Sequence, residues 1–362
     1  PFINRTDDLE FRLVSAISTM TTVERPGLAF LTGFGSQGPE TFPSFARALS
    51  DRYDIQTIDL TVDTVPDLNR DTLDIVVVAG PQQPLGTPGV DAIGSFVDAG
   101  GSALFLIDKH QVSPESPMMY PVFTGLEGFL EARGVGTDAG VVLDYGSNSR
   151  ISMGQQGSFN VVRPYPLWPI AVRGDPHPTT RDLSNLSLGW GTVLTVTDTA
   201  VQRIWVTTEL GAIQAAGGII MPDALLEPDR NNFQTLTVAV ALDPNAADDD
   251  EPSGTGDDSA TGGRMIVIGD VDFLQEQFLQ ANPQNLVFTL NAIDWLAQDE
   301  ALIGIRSKLR TPPVLAFTSE FQRVALKWGN LVGVPLLFVL LGLVRVTGRR
   351  RRAETRWKGA PA

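Results

Sequence analysis

The stretch Ile75-Val76-Val77-Val78-Ala79 decides how this chain folds. Its apolar residues run without a polar break between Asp74 and Gly80-Pro81. So short a run, mostly β-branched and lacking polar alternation, reads as a strand buried on both faces, the kind found in parallel sheets covered by helices. Working outward, Val90 to Ala99 reads as a helix capped by Gly100-Gly101, and Ala103 to Ile107 as a second buried strand. Upstream lie strands at Leu28 to Thr32 and Ile55 to Leu60, with a helix near Phe42 to Arg52 between them. Leu126 to Arg133 is expected to be helical and Val141 to Leu143 a further strand. Residues 7–20 carry a capping-box pattern, Asp7 with Glu10, before apolar residues at helical spacing. Strands alternating with helices on this rhythm predict a doubly wound, mostly parallel α/β sheet.

The remainder divides by composition. Residues 1–146 form the first part of the α/β body, and 147–242 a β-rich, irregular insertion. In that insertion, Pro164 to Pro169 (PYPLWP) and Asp175 to Thr180 (DPHPTT) read as irregular. Thr192 to Thr197, Arg203 to Thr208 and Thr235 to Leu242 read as strands. Residues 243–263 are an acidic, low-complexity connector expected to be disordered. Its contiguous Asp248, Asp249 and Asp250 do not alternate as calcium-loop ligands do. Residues 264–305 return to the sheet through Met265 to Ile268 and a helix at Leu286 to Leu296.

The carboxy-terminal end has a different character. Residues 306–323 are membrane-proximal, 324–346 are expected to cross the bilayer as one helix, and 347–362 form a basic tail. The uncharged run from Trp328 to Val344, extended upstream to Val324, approaches the ~20 residues a bilayer core requires. Arg349, Arg350, Arg351 and Arg352 follow it and anchor the tail on the cytoplasmic side. Gly329, Gly333 and Gly342, with Pro335, are the residues through which this helix is expected to meet partner helices.

Charge separates the two ends. Residues 306–362 hold 12 of the 27 Lys and Arg but two of the 42 Asp and Glu, which leaves 15 bases against 40 acids in residues 1–305. A body this acidic is not expected to bind nucleic acid, because like charges repel. The expected topology is an extracytoplasmic body, a single pass through the cytoplasmic (inner) membrane of a bacterium or archaeon, and a cytoplasmic tail. It requires an export signal or transmembrane segment upstream of Pro1. The chain has no cysteine, which excludes disulfides, thiolate metal sites and cysteine nucleophiles.

Two motifs invite chemistry. Gly33-Phe34-Gly35-Ser36-Gln37-Gly38 matches the dinucleotide pattern, with Asp59 placed to receive a ribose; Gly33, Gly35, Gly38 and Asp59 are therefore candidate cofactor contacts. Pro39 and Pro43 oppose that reading, since they delay the helix on which a pyrophosphate would rest. Asp270 and Asp272, after the strand Met265 to Ile268, are candidate metal ligands at the carboxyl edge of a parallel sheet. Asp108 occupies the same position after Ala103 to Ile107. A turn-capping role for Asp270 is the plainer alternative. His110 and His177, the only histidines, lie in loops where no triad is expected, and no cofactor or catalytic residue is assigned.

Several further segments together resemble the GldG-type auxiliary proteins of ABC transport systems, a family named for gliding motility and related to the GIFT domain of intraflagellar transport. They are Phe30-Leu31-Thr32-Gly33, Leu73 to Pro81, Phe96 to Gly101 leading to Leu106-Ile107-Asp108, His177-Pro178-Thr179-Thr180, Ile268 to Phe273 and Asn291 to Leu296. The apolar helix with Pro335 and its arginine cluster is similar too. The resemblance implies a sheet like that of glutamine amidotransferases but without catalysis. It also implies association with a polytopic permease and a separate ABC ATPase, with envelope proteins or glycans as further contacts. Phe34 stands where such proteins often carry a histidine, which puts a ligand role for that turn in doubt. The expected function is a non-enzymatic, membrane-anchored auxiliary subunit. The alternative is an anchored nucleotide- or metal-dependent enzyme that uses Gly33 to Gly38 with Asp270 and Asp272.

Overall fold

The computed structural model describes residues 25–62, 67–112, 118–156, 159–215, 217–221, 230–244, 262–298, 320–333, 335–336, 338–343 and 345–346. The helix expected at residues 7–20, most of the acidic connector and the arginines at 349–352 lie outside them. The chain divides into two compact units, Pro1–Ala316 and Phe317–Ala362.

The first unit opens with β1 (Gly27–Thr32), α1 (Pro43–Ser50), β2 (Asp54–Asp59), β3 (Ile75–Ala79), α2 (Gly86–Asp98) and β4 (Ser102–Leu106). A small hairpin of β5 (His110–Gln111) and β6 (Tyr120–Pro121) precedes α3 (Glu127–Glu131). Then come β7 (Val135–Asp144), β8 (Asn148–Gln156), β9 (Phe159–Arg173), β10 (Leu186–Ser187), β11 (Thr192–Val196), β12 (Val201–Val206), β13 (Gly211–Gln214) and β14 (Thr237–Leu242). The unit closes with β15 (Met265–Ile268), α4 (Glu276–Ala281) and α5 (Gln284–Leu296).

Five parallel strands, in the order β2-β1-β3-β4-β15, form the centre of the unit. The strand side-chain period of two divides their apolar runs between two cores. Leu28, Phe30, Ile75, Val77, Leu104 and Leu106 face one core, closed by Phe45 of α1 and Phe288 of α5. Ala29, Leu31, Val76, Val78 and Phe105 face the other, closed by Phe96 of α2 and Phe129. The sheet is therefore doubly wound, as the uninterrupted valines require.

Beyond β15 the same sheet continues antiparallel. β14 pairs with β15, β12 with β14, and β9 with β12. The region read as irregular at Pro164 to Pro169 is part of the 15-residue β9. Pro166 and Pro169 fit there because the β8–β9 ladder shifts register between Asn148 and Ser149, where the regular bonding they would interrupt is already broken, while Pro164 stands opposite Arg150. β7 is longer than the apolar core Val141 to Leu143 suggested, reaching back through partly exposed residues to Val135.

Helix α5 is buried almost all round, so its polar residues need partners. Asn285 accepts from Ser187 N at 3.0 Å and donates to the Ser187 and Phe273 carbonyls at 2.8 and 2.9 Å. Gln284 accepts from Ser184 N at 2.8 Å. These bonds fasten the segment before Gly189 to the helix.

The second unit holds α6 (Glu320–Trp328) and a wider π-turn at Gly329–Gly333. Pro335 accounts for the widening, because it has no N–H to give the preceding turn and its ring crowds that turn's carbonyl. An apolar helical span covers Val324–Leu343, 20 residues with mean hydropathy 1.9 and none of it buried.

Candidate functional site

Loops leaving β1, β3, β4 and β15 converge at the carboxyl edge of the parallel strands. In the order 2-1-3-4-5 this edge holds the switch point between β1 and β3, where ligands of such sheets bind. A cavity of about 90 Å³ lies there, lined among others by Gln37, Gln82, Asp108, His110, Trp190 and Asp272.

Parallel pairing of Ile268 with Leu106 sets the ends of β15 and β4 side by side. Asp108, Asp270 and Asp272 meet there, with one carboxylate oxygen from each within 4.8 Å of the others. Asp270 is fully buried. Its Oδ1 accepts from Asp272 N at 2.7 Å and its Oδ2 from Gly189 N at 2.6 Å. The turn-capping role expected of Asp270 is thus present, together with a second bond that reaches across the sheet. Asp108 Oδ1 accepts from Val271 N at 3.2 Å, and Asp272 Oδ1 from the Gln275 amide.

Burial and mutual repulsion oppose ionisation of this group. Asp270 is pushed well above the usual carboxylate range by burial, then by the charges of Asp108 and Asp272. Asp108 is pushed well up by burial, then by Asp272. Asp272 is raised to about 6 by burial, against the opposing bond from Gln275.

His110 completes the wall. Its Nε2 meets the Trp190 carbonyl, which only accepts, so Nε2 carries the hydrogen and Nδ1 is left as an acceptor. That Nδ1 is buried and has no hydrogen-bond partner among the described residues. Trp190 is held rigidly for this contact: its N–H bonds Leu167 O at 3.0 Å, its indole donates to Tyr165 Oη at 3.0 Å, and Trp168 packs edge-on at 5.3 Å. The sequence reading set His110 aside, read Gln37 only as part of the glycine motif, and missed Trp190 and Gln82. The one available signal was His110 standing two residues after a strand-end aspartate.

The glycine loop is built for a different purpose. Gly33 and Gly35 adopt φ of +95° and +82°, with Phe34 between them also positive at +53°. This turn folds the loop back so that Phe34 O accepts the N–H groups of Gln82 and Gln83 at 3.0 and 2.9 Å. Ser36 N donates to Gly33 O and Gln37 N to Ala79 O, both at 2.8 Å, so these amides are spent within the protein. The Glu40 carboxylate packs against Gly38, where a phosphate would meet its charge. Asp59 lies beside Gly33 but accepts from Thr61 N and Oγ1 at 2.8 and 2.7 Å, bonds that hold its carboxyl below the usual range. None of Gly33, Gly35, Gly38 and Asp59 lines the cavity.

In the apolar helix, a Cβ placed on Gly329, Gly333 or Gly342 would meet nothing within 4 Å. Gly329 and Gly333 begin and end the π-turn, and Pro335 follows. His177, the other histidine, lies away from the cavity and caps a short 3-10 turn, its Nδ1 accepting from Thr179 N at 3.3 Å.

With fold and site described, the class is that of a doubly wound α/β body with a candidate membrane helix in the same chain. The sequence matches a family described as an ABC-type uncharacterized transport system over residues 25–300. The chain belongs to this family of ABC-transport auxiliary proteins, in agreement with that part of the resemblance drawn from its motifs. No curated protein matches the sequence. Among solved structures, the N-terminal domain of mmIFT52 is similar at 13% identity and TM-score 0.49, over 75% of this chain and 97% of that one. A ThuA-like protein from Bacteroides uniformis is similar at 13% and 0.41, over 76% and 94%. A glutamine amidotransferase from Thermotoga maritima is similar at 10% and 0.34, over 79% and 97%. At these identities and scores the likenesses carry no argument about chemistry or partners.

Proposed function

We propose that this protein is a non-enzymatic, membrane-anchored auxiliary subunit of an ABC-type transport complex of the gliding-motility kind. In this reading its body is extracytoplasmic and its tail cytoplasmic. The family match over residues 25–300 carries the reading. The apolar span Val324–Leu343 supports the anchor, and the acidic body with a basic carboxy-terminal end supports the orientation. Gly329 and Gly333 leave room for a permease helix to approach closely. ATP hydrolysis belongs to a separate ATPase, since the chain has no Walker A motif. The body is left to contact partner subunits, envelope proteins or glycans. The nucleotide-dependent alternative is disfavoured by the committed amides of Ser36 and Gln37 and by the Glu40 carboxylate against Gly38.

The test is purification of the protein, expressed from its native gene, from membranes in mild detergent. A polytopic permease and an ABC ATPase are expected to co-purify in fixed ratio. Recovery of the chain alone, while other ABC complexes in the same extract stay intact, would overturn the partnership. Orientation is checked separately, because a chain without cysteine accepts single probes cleanly. A membrane-impermeant maleimide on intact cells is expected to label Asp71→Cys in the body and not Ala360→Cys in the tail.

A further inference from the structure

We propose that Asp108, Asp270 and Asp272 bind one divalent, oxygen-preferring cation, whose open coordination positions face the cavity at the carboxyl edge of the sheet. The inference stands independently of the transporter assignment. Three observations carry it. The oxygens lie within 4.8 Å of one another, close enough to share one hard cation with oxygen bonds of ~2.1–2.5 Å.

Next, no counter-charge meets the group among the described residues. The neighbouring lysine, Lys109, is committed to Glu127, and the hydrogen bonds to the cluster come from backbone amides and the Gln275 side chain. Asp108 Oδ2 and Asp272 Oδ2 take no hydrogen bond from the described residues, which leaves each of these carboxylates an uncommitted oxygen.

Finally, His110 supplies an observation that does not come from the acids. It is 4% exposed, lines the same cavity as Asp108 and Asp272, and keeps an Nδ1 acceptor with no partner among the described residues. It is not one of the three-carboxylate group, so its role in this reading is to accept from an ion-bound water and not to ligate directly. A small oxygen ligand on the ion, a water or a hydroxyl of an envelope glycan, would meet Gln37, Gln82 and His110 as its remaining neighbours.

The experiment uses the full chain in detergent. Thermal unfolding is followed in EDTA and in increasing calcium, and bound Mn²⁺ is counted by its electron spin resonance signal. Saturable stabilisation, on the order of 5 °C at saturation, and one bound Mn²⁺ displaced by calcium are expected. Asp272→Asn is expected to unfold no lower than wild type in EDTA, since it relieves repulsion, and to lose the calcium response and the bound Mn²⁺. A variant with Asp248, Asp249 and Asp250 changed to Asn is expected to keep both. His110→Gln is expected to weaken calcium binding severalfold without abolishing it. No saturable response in wild type would overturn the site. So would a response that survives Asp272→Asn, or one lost in the connector variant.

Discussion

The carboxylate of Asp270 and the backbone N–H of Gly189 meet at 2.6 Å although 81 residues separate them. One bond thus ties the end of β15 to the loop that presents Trp190. A Cβ on Gly189 would lie 2.6 Å from the Phe278 ring and 3.2 Å from Asp272 Cβ, so the loop passes here only because the position is glycine.

Asp270→Asn tests that tie. The amide keeps one acceptor for Asp272 N but turns a donor toward the Gly189 N–H, leaving a buried donor unsatisfied. A loss of about 2 kcal/mol is expected. Urea unfolding measures the loss, and a red-shifted tryptophan emission reports release of Trp190.

His177 predicts a pH dependence. Burial, then the charge of Arg264, holds its imidazole down at about 4, from an ordinary 6.5. The unfolded chain therefore binds more protons between these values. The stabilisation is complete above about pH 6.5 and is lost as pH falls toward about 4, up to about 3 kcal/mol in all. Stability profiles of wild type and His177→Asn are expected to converge as pH falls through that window.

Asp144 anchors the corner between β7 and β8. Its oxygens accept from Gly146 N at 2.7 Å, Ser147 N at 3.0 Å, and Thr208 N and Oγ1 at 2.8 and 2.7 Å. Burial pushes its pKa up in spite of these bonds. Asp144→Ala strands four donors, three of them on the backbone, and is expected to cost about 3 kcal/mol or more, read as a lower denaturation midpoint.

Leu336→Arg combined with Leu340→Arg tests the anchor. Each arginine adds about 2.5–3.5 kcal/mol to insertion near the middle of a span. The double variant is expected to leave the membrane fraction on carbonate extraction, while wild type stays.

The parallel half of the fold was legible because strands buried on both faces have no polar residues to blur them. Ile75 to Ala79 is bounded in the structure as it reads in the sequence. The antiparallel half was less so. Pro164, Pro166 and Pro169 signal irregularity locally, and only the pairing partner shows that β8 shifts register to accommodate Pro166 and Pro169. The site was half legible. Asp270 and Asp272 declare themselves by following an apolar strand, but Asp108 joins them only through the pairing of β15 with β4. Trp190 arrives from the antiparallel half, through hydrogen bonds to Leu167 and Tyr165 that no local pattern encodes.

Sharing of one sheet by the parallel and antiparallel halves governs how the protein can be dissected. β15 is inserted between β4 and β14, yet the chain reaches it last. A fragment stopping at residue 146 would present β4 as a raw hydrogen-bonding edge, and one spanning 147–242 would do the same with β14. Both pieces are expected to self-associate through those borders, so biochemical work on the body calls for an uninterrupted polypeptide through at least residue 298.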